Sequence, residues 1–131
     1  MKVAIILDDS LGPGLLANSS ACIASGLFNG VENVLGPEIE GYFFKYIPIT
    51  KIPILIMKQH NRTWPELLKR AKKFKLKYMV FTQEGQSTTN YEEYIERVKG
   101  KPIEEVKVIG IGAIGEDNDI QRFCGDLPLL R

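Results

Sequence analysis

Apolar residues gather in four short runs, and longer amphipathic stretches separate them. The runs cover 2–7, 53–57, 78–82 and 106–112. Each is apolar without alternation, which is typical of strands covered on both faces of a sheet. Because helical patterns lie between the runs, the sequence predicts an α/β protein arranged as a three-layer α/β/α sandwich.

The second predicted helix has the clearest start signal. Thr63 and Glu66 match a capping box, in which each side chain accepts a hydrogen bond from the backbone N–H of the other residue. Apolar residues then recur at helical spacing, at Trp64, Leu67, Leu68, Ala71 and Phe74. This spacing indicates that one stripe of the helix faces the sheet.

Three further helices are predicted from N-cap residues and from the glycine and proline residues that end helices. The first covers 13–28, the third starts after Asn90 and ends near Gly100, and the last covers 117–124 with Asp117 as its cap. The third helix is expected to turn an apolar side inward, formed by Tyr91, Tyr94, Ile95 and Val98.

The segment 36–52 has the weakest secondary-structure pattern and the densest aromatic content. It is predicted to add a short edge strand or to form a flap. Its apolar group is Tyr42, Phe43, Phe44, Tyr46 and Ile47. Exposed groups of this kind usually meet a partner surface, so the Tyr42–Ile47 region is a candidate homodimer contact.

Length and charge limit the possible functions. The 131 residues predict a single α/β domain over 1–131, and the net charge of +1 provides no global field toward nucleic acid or membrane. No apolar stretch approaches the length of about 20 residues that spans a bilayer, and no signal peptide is recognised. Cys22 and Cys124 lie far apart without CxxC spacing, which favours a reduced, cytoplasmic chain.

One cluster of positive charge stands opposite the apolar stripe of the second helix. It consists of Lys69, Arg70, Lys72, Lys73, Lys75 and Lys77. Such a run is usually a solvated helix face, and RNA is the less favoured alternative. The single histidine, His60, falls in a polar loop and is expected to be solvated.

The motifs of common cofactors and metals are absent or incomplete. Gly110–Gly115 matches GxGxxG, but neither the βαβ unit nor the acidic residue that a dinucleotide site needs follows it. These glycines are expected to let the last strand pass close under a helix or beside a pocket. Without HExxH, paired Cys/His or GxSxG spacing, no cofactor and no metal are expected.

The corner between the first strand and first helix combines two carboxylates with free helix N–H groups. Asp8 and Asp9 precede Gly12 and Gly14, so an aspartate could accept hydrogen bonds from these glycine amides, or the corner could contact a ligand. Asn18, one turn inside the helix, could point its amide into the mouth of a pocket. Both interpretations stay open on the sequence.

Three stretches carry a resemblance to a known family. "LDDSLGPGLLANSSA", "FTQEGQ" and "GIGAIGEDNDIQRFCGDLPLLR" resemble the family catalogued as domain of unknown function two thousand. That family is similar in fold to the archaeal and eukaryotic type of peptidyl-tRNA hydrolase. The resemblance implies a peptidyl-tRNA hydrolase II-like sandwich around a mixed sheet of about four strands.

The hydrolase pattern is kept in part. By the resemblance, Asp9 keeps an aspartate, Asn18 stands where those enzymes have glutamine, and Gly85 and Gln86 match a later segment. The lysine and histidine positions are occupied by Gly14 and Ala21, and Thr82 or Gln83 stands at a second aspartate position. An alanine cannot exchange protons as a histidine does, so hydrolysis by that mechanism is not expected.

The polar side chains at two strand ends define the predicted site. They are Asp8, Asp9, Asn18, Thr82, Gln83 and Gln86, and no catalytic residue is assigned among them. We expect a small polar ligand there, bound by a ligand-binding domain or an enzyme of unknown reaction. A peptidyl-tRNA hydrolase-like or tRNA-binding protein and a self-associating module are the alternatives.

Overall fold

The structure is a computed structural model that describes residues 1–131. Its strands and helices are, in chain order, β1 (Lys2–Leu7), α1 (Pro13–Phe28), β2 (Ile39–Glu40), β3 (Lys45–Tyr46), β4 (Ile54–Lys58), α2 (Trp64–Lys73), β5 (Lys77–Thr82), α3 (Gln83–Ser87), α4 (Tyr91–Val98), β6 (Val108–Gly115) and α5 (Asp117–Cys124). A 3-10 turn covers Ile103–Glu105. The four predicted strands and four predicted helices are all present.

The main sheet has four strands in the order β4-β1-β6-β5. Strand β1 is parallel to β4 and antiparallel to β6, and β6 is antiparallel to β5. The sheet is therefore mixed. The two central strands are almost fully buried, whereas the edge strands β4 and β5 are partly exposed.

Apolar side chains form a core on each face of the sheet. On one face α2 and α5 pack on a cluster of 13 buried residues that includes Ile6, Leu67 and Phe123. On the other face α1 packs on a cluster of 8 that includes Ile5, Ile23 and Leu27. The helices on both faces give the three layers that the sequence predicts.

Glycines in β6 let α1 approach the sheet closely. A Cβ atom built on Gly112 would lie 2.3 Å from Cγ2 of Ile23, and one on Gly110 would lie 2.9 Å from Cδ1 of Ile23. No side chain fits under Ile23 at either place. Of the two expected roles, close approach under a helix is confirmed for Gly110 and Gly112.

Residues after α5 cover the outer edge of β4. The N–H of Lys58 donates to the Pro128 carbonyl at 2.9 Å, and the N–H of Leu130 donates to the Ile56 carbonyl at 2.9 Å. An unpaired strand edge is open to association with other chains, and this segment protects the edge. The pairing gives the "LPLLR" stretch a structural role.

The segment 36–52 does not join the main sheet. Strands β2 and β3 pair only with each other, so the edge-strand alternative is wrong and the flap alternative describes this segment. A separate bridge between Leu35 and Thr50 closes the base of the segment.

Three local expectations at the helices are wrong. Glu116, not Asp117, is the N-cap of α5, and Asp117 instead pairs with the N-terminal amine at 2.9 Å. Thr63 accepts from the Glu66 N–H at 3.3 Å, but the Glu66 carboxylate contacts Arg62 and Arg70, so only half of the capping box forms.

The third correction concerns α4, which buries none of its residues. Tyr91 and Ile95 are exposed, whereas Tyr94 and Val98 are half-buried. The helix packs chiefly on α3 rather than across the sheet. It therefore needs only a narrow apolar stripe, formed by Tyr94 and Val98, to make its contacts. The sequence also missed α3 and the 3-10 turn, which are too short to show a periodic pattern.

Candidate functional site

The carboxyl ends of β1 and β5 lie at the same end of the sheet, because both strands run antiparallel to β6. Leu7 of β1 and Phe81 of β5 both pair with Gly110 of β6, one from each side. Two strand spacings therefore separate them, about 10 Å. The polar residues that follow β1 and β5 are close enough to contact one small molecule.

The two aspartates after β1 do not cap α1. The Oδ1 atom of Asp8 accepts hydrogen bonds from the N–H of Ser10 at 3.0 Å and from its hydroxyl at 2.6 Å. Gly12 is the N-cap of α1, without a side-chain hydrogen bond, and Asp9 is exposed. The expectation that an aspartate bonds the Gly12 or Gly14 amide is wrong, because Asp8 instead closes a turn around Ser10.

The residues after β5 have two different environments. Thr82 is buried, and its Oγ1 accepts a hydrogen bond from the N–H of Gly85 at 3.3 Å, which caps α3. The N–H of Gln83 donates to the Lys107 carbonyl at 2.8 Å, and its side chain is exposed. Thr82 thus holds the backbone of this corner, while Gln83 faces solvent.

Two of the predicted residues touch each other. The Oδ1 atom of Asn18 accepts a hydrogen bond from Nε2 of Gln86 at 3.4 Å and lies 3.9 Å from Sγ of Cys22. These contacts link α1 to α3. Each amide keeps polar atoms that this contact does not use, since Asn18 retains an NH₂ group and Gln86 a carbonyl oxygen.

A cleft of about 420 Å³ adjoins this amide pair. It lies between α1, the end of β5 and the segment from α3 to α4. Its lining consists of Cys22, Ser25, Gly26, Met79, Phe81, Gly85, Thr88, Thr89, Asn90, Tyr91 and Tyr94. The volume is that of a small-molecule site.

None of the side chains that line the cleft belongs to a lysine, arginine, aspartate or glutamate. Met79 and Phe81 form an apolar floor. The hydroxyls of Ser25 and Thr88 donate to the carbonyls of Cys22 at 2.7 Å and Glu84 at 3.0 Å, so their lone pairs are left to accept. The cleft therefore suits an uncharged molecule that donates hydrogen bonds.

Tyr94 is a half-buried phenol in the lining of the cleft. Burial raises its pKa above the usual value for tyrosine, with further contributions from Tyr91 and Glu84. The phenol, protonated at neutral pH like any tyrosine, can both donate and accept a hydrogen bond.

The sequence did not find most of this cleft. The segment Thr88–Tyr91 contains small polar residues that are typical of any loop, and only its fold onto α1 gives them a shared surface. The cysteine that lines the cleft was visible in the sequence. Its position one turn after Asn18 was the available signal.

The basic cluster is smaller than the sequence indicates. Arg70 donates to Asp126 at 2.8 and 3.1 Å and to the Phe123 carbonyl at 3.1 Å, which ties α2 to α5. The ammonium of Lys77 bonds the Asn29 carbonyl. Four exposed lysines remain, Lys69, Lys72, Lys73 and Lys75. His60 is exposed in the loop before α2, as expected.

Neither a cluster of metal-ligating side chains nor a membrane-spanning helix is present. No three His, Cys, Asp or Glu side chains gather where they could hold a metal ion. None of the helices is both long and apolar enough to cross a membrane.

These features define an α/β protein with a four-stranded mixed sheet, five α-helices and an uncharged cleft at one sheet edge. The model of a family described as "Protein of unknown function (DUF2000)" matches residues 1–131, and the chain belongs to this family. The family predicted by the sequence is thereby confirmed.

One solved structure extends this relationship to the fold. A protein of unknown function from Agrobacterium tumefaciens strain C58 superposes with a TM-score of 0.88 at 18% identity, over 99% of this chain and 97% of that one. At this identity the likeness concerns the fold alone. Among curated proteins, none matches this sequence significantly.

Proposed function

We propose that this chain is a small-ligand-binding domain whose cleft between α1 and α4 binds an uncharged molecule with an apolar body and a hydroxyl or amide group. The observation that carries the proposal is the lining of the cleft. It combines an apolar floor with hydroxyl acceptors and lacks charged side chains. A charged ligand would lose its hydration there without gaining an opposite charge.

The amide pair of Asn18 and Gln86 extends this site toward the ends of β1 and β5. A ligand that reaches beyond the cleft meets first the free NH₂ of Asn18 and the free carbonyl of Gln86. Asp8, Asp9, Thr82 and Gln83 lie farther along the same edge. In this proposal Asp8, Asp9 and Gln83 bind the polar end of a longer ligand. Thr82 contributes indirectly, because its side chain caps α3 and so positions Gln86.

In this proposal the domain descends from a peptidyl-tRNA hydrolase-like scaffold. At the positions that the resemblance assigns to its lysine and histidine stand Gly14, with no atom within 4 Å of a built Cβ, and Ala21. Neither residue supplies a cation or a proton. We therefore expect binding at this corner and no hydrolysis by that mechanism.

The proposed setting is the cytoplasm. Cys22 lies in α1 on one face of the sheet and Cys124 lies in the core on the other face, so the two thiols do not pair within one chain. Free thiols of this kind are typical of proteins in reducing compartments.

The test is an amide NMR titration with matched small probes. Phenol and benzamide should shift the signals of residues 22–26 and 79–94, with dissociation constants of about 1 mM, while benzoate and benzylamine should not. Stronger binding of either charged probe, or shifts outside the cleft only, would overturn the proposal.

A pair of tryptophan variants localises the effect. Ser25→Trp places a large ring in the mouth of the cleft and should abolish the phenol shifts. Lys73→Trp makes the same change on the opposite face of the sheet, at an exposed position of α2, and should leave them unchanged.

A further inference from the structure

The segment 35–50, here called the arm, is a hairpin that stands apart from the sheet. The Leu35–Thr50 bridge closes its base, and the N–H of Gly41 donates to the Phe44 carbonyl at 2.8 Å to close its tip. Its strands pair only with each other. Nothing in the rest of the fold requires these side chains for its core.

The arm exposes an unusual amount of apolar surface. More than half of each of eight large apolar residues is exposed, namely Leu35, Ile39, Tyr42, Phe43, Phe44, Tyr46, Ile47 and Ile49. Together they present on the order of 1,000 Å² to solvent. A stable interface of standard size buries about 800 Å² on each partner, so the arm alone has enough surface for one.

The tip of the arm is a projecting aromatic pair. Phe43 is 93% exposed and Tyr42 is 83% exposed, and their ring centroids lie 4.6 Å apart. The backbone of Phe43 has φ +64°, a conformation that bulky residues rarely adopt. The side chain of Phe43 therefore points outward from a backbone conformation that glycine would adopt with less steric strain.

The base of the arm contains a groove of about 280 Å³. Its apolar lining includes Pro37, Ile39, Tyr46, Ile47 and Ile49. A cavity of about 150 Å³ is enough to hold a benzene ring, so this groove has room for the side chain of Phe43.

The arm has a net charge of −1, from Glu38, Glu40 and Lys45, and its one cation is paired within it. The ammonium of Lys45 lies 3.5 Å from a carboxylate oxygen of Glu38 and 3.8 Å from one of Glu40. No cation within 35–50 is left unpaired, and the adjoining Lys51, which is exposed and lines the basal groove, is a single charge and too little to attract an anionic membrane or a nucleic acid. An apolar surface of this kind favours a partner that is equally apolar.

We infer that the arm joins two copies of this chain, with the tip of each arm seated in the basal groove of the other. Projection and groove lie on the same surface patch, which is the requirement for a two-fold interface in which each contact occurs twice. This inference does not depend on the proposed ligand site, which lies elsewhere on the fold.

Sedimentation velocity over a concentration series tests the inference. The wild-type chain should be a dimer at about 10 µM, and Phe43→Asp should raise its dissociation constant at least about 30-fold, as expected for a central aromatic residue. Aspartate tolerates positive φ, so this variant should fold. Leu15→Asp replaces an exposed leucine of α1 by the same charge and should leave the dimer intact.

Mixing two variants distinguishes insertion of the tip into the groove from non-specific hydrophobic association. Ile47→Asp damages the groove and should also give a monomer. A mixture of Phe43→Asp and Ile47→Asp keeps one intact tip-and-groove contact and should form more heterodimer than either variant forms homodimer. No gain on mixing, or a wild-type monomer at about 100 µM, would overturn the inference, as would a monomer that instead sediments with phosphatidylcholine vesicles.

Discussion

Asn18 and Gln86 are 68 positions apart in the chain, and a hydrogen bond of 3.4 Å between their side-chain amides joins α1 to α3. Helix α3 has five residues and no buried side chain. Besides its packing against α4, its position depends on this bond, the Thr82 cap and two hydrogen bonds to Lys107. The N–H of Gln83 donates to the Lys107 carbonyl, and the Glu84 carboxylate accepts from the Lys107 N–H at 3.2 Å.

Asn18→Ala should loosen α3 without unfolding the protein. The bond is exposed, so its loss should lower the free energy of unfolding by less than about 1 kcal/mol. Amide hydrogen exchange at Gly85–Ser87 should become faster, because local opening costs less. Asn61→Ala, in an exposed loop, is the control, and unchanged exchange in α3 would contradict the prediction.

Gly112→Ala should destabilise the fold by about 1–3 kcal/mol. The added methyl would lie 2.3 Å from Ile23 and 3.0 Å from Leu27, two fully buried residues of α1. Urea denaturation gives the change. Gly14→Ala is the matched control, since a Cβ there meets no atom within 4 Å and alanine favours the helix. Equal effects of the two substitutions would refute the packing argument.

Asp126→Asn should lower stability above pH 4 and lose its effect in acid. Hydrogen bonds from Arg70 lower the pKa of Asp126 to about 2, below its value in the unfolded chain. The carboxylate therefore stabilises the fold at neutral pH, and this contribution disappears as the pH falls from about 4 to about 2.

The effect should be about 1 kcal/mol at pH 7, since Asp126 is 37% exposed and solvent screens the pair. Thermal unfolding at pH 7 and pH 2 measures the difference between variant and wild type. Glu104→Gln removes an exposed carboxylate of the 3-10 turn and should have little effect at either pH. A difference for Asp126→Asn that persists at pH 2 would exclude this explanation.

The two cysteines should differ in their reaction with iodoacetamide. Burial raises the pKa of Cys124 to about 11, so roughly one molecule in a thousand carries its thiolate at pH 8. Cys22 is only half-buried beside the cleft. Mass spectrometry of the native protein should find label on Cys22 first, and both cysteines should react alike in urea. Early labelling of Cys124 in the native protein would contradict its burial.

Purified protein should not cleave peptidyl-tRNA above background. Cleavage needs a proton donor or acceptor close to the ester, and the cleft contains only a thiol and phenols among titratable groups. Cys22→Ser should keep the free energy of unfolding within about 1–2 kcal/mol of wild type. Turnover that disappears in Cys22→Ser or Asp9→Asn would reveal an active site that this reasoning excludes.

The sequence predicts most of the fold because its core elements carry long patterns. Helix α1 begins and ends where Pro13 and the small-residue stretch indicate, and the apolar spacing of α2 matches its buried stripe. The wrong predictions concern helix ends, where the contacts of a few residues determine the structure. The cap of α5 is Glu116, one residue before the predicted Asp117, and Asp117 instead pairs with the N-terminal amine, a contact that no local pattern records.

The candidate site was less predictable than the fold. Asn18 and Gln86 meet because β1 and β5 flank β6, and this strand order is not written in either local segment. The cleft depends further on the path of Thr88–Tyr91 beside α1. Residues of a loop give no periodic signal, so their shared surface appears only in three dimensions.

The central position of β1 has a consequence for how the protein is made. Its antiparallel neighbour β6 begins at Val108, about a hundred residues later in translation, and Lys2 pairs with Gly115. Until the ribosome has released β6, β1 has only β4 beside it, and nothing connects β5 to the sheet. Loop closure over such a separation is slow, and the waiting strands are open to aggregation. The nascent chain therefore completes its sheet only late in translation, after β6 has left the ribosome.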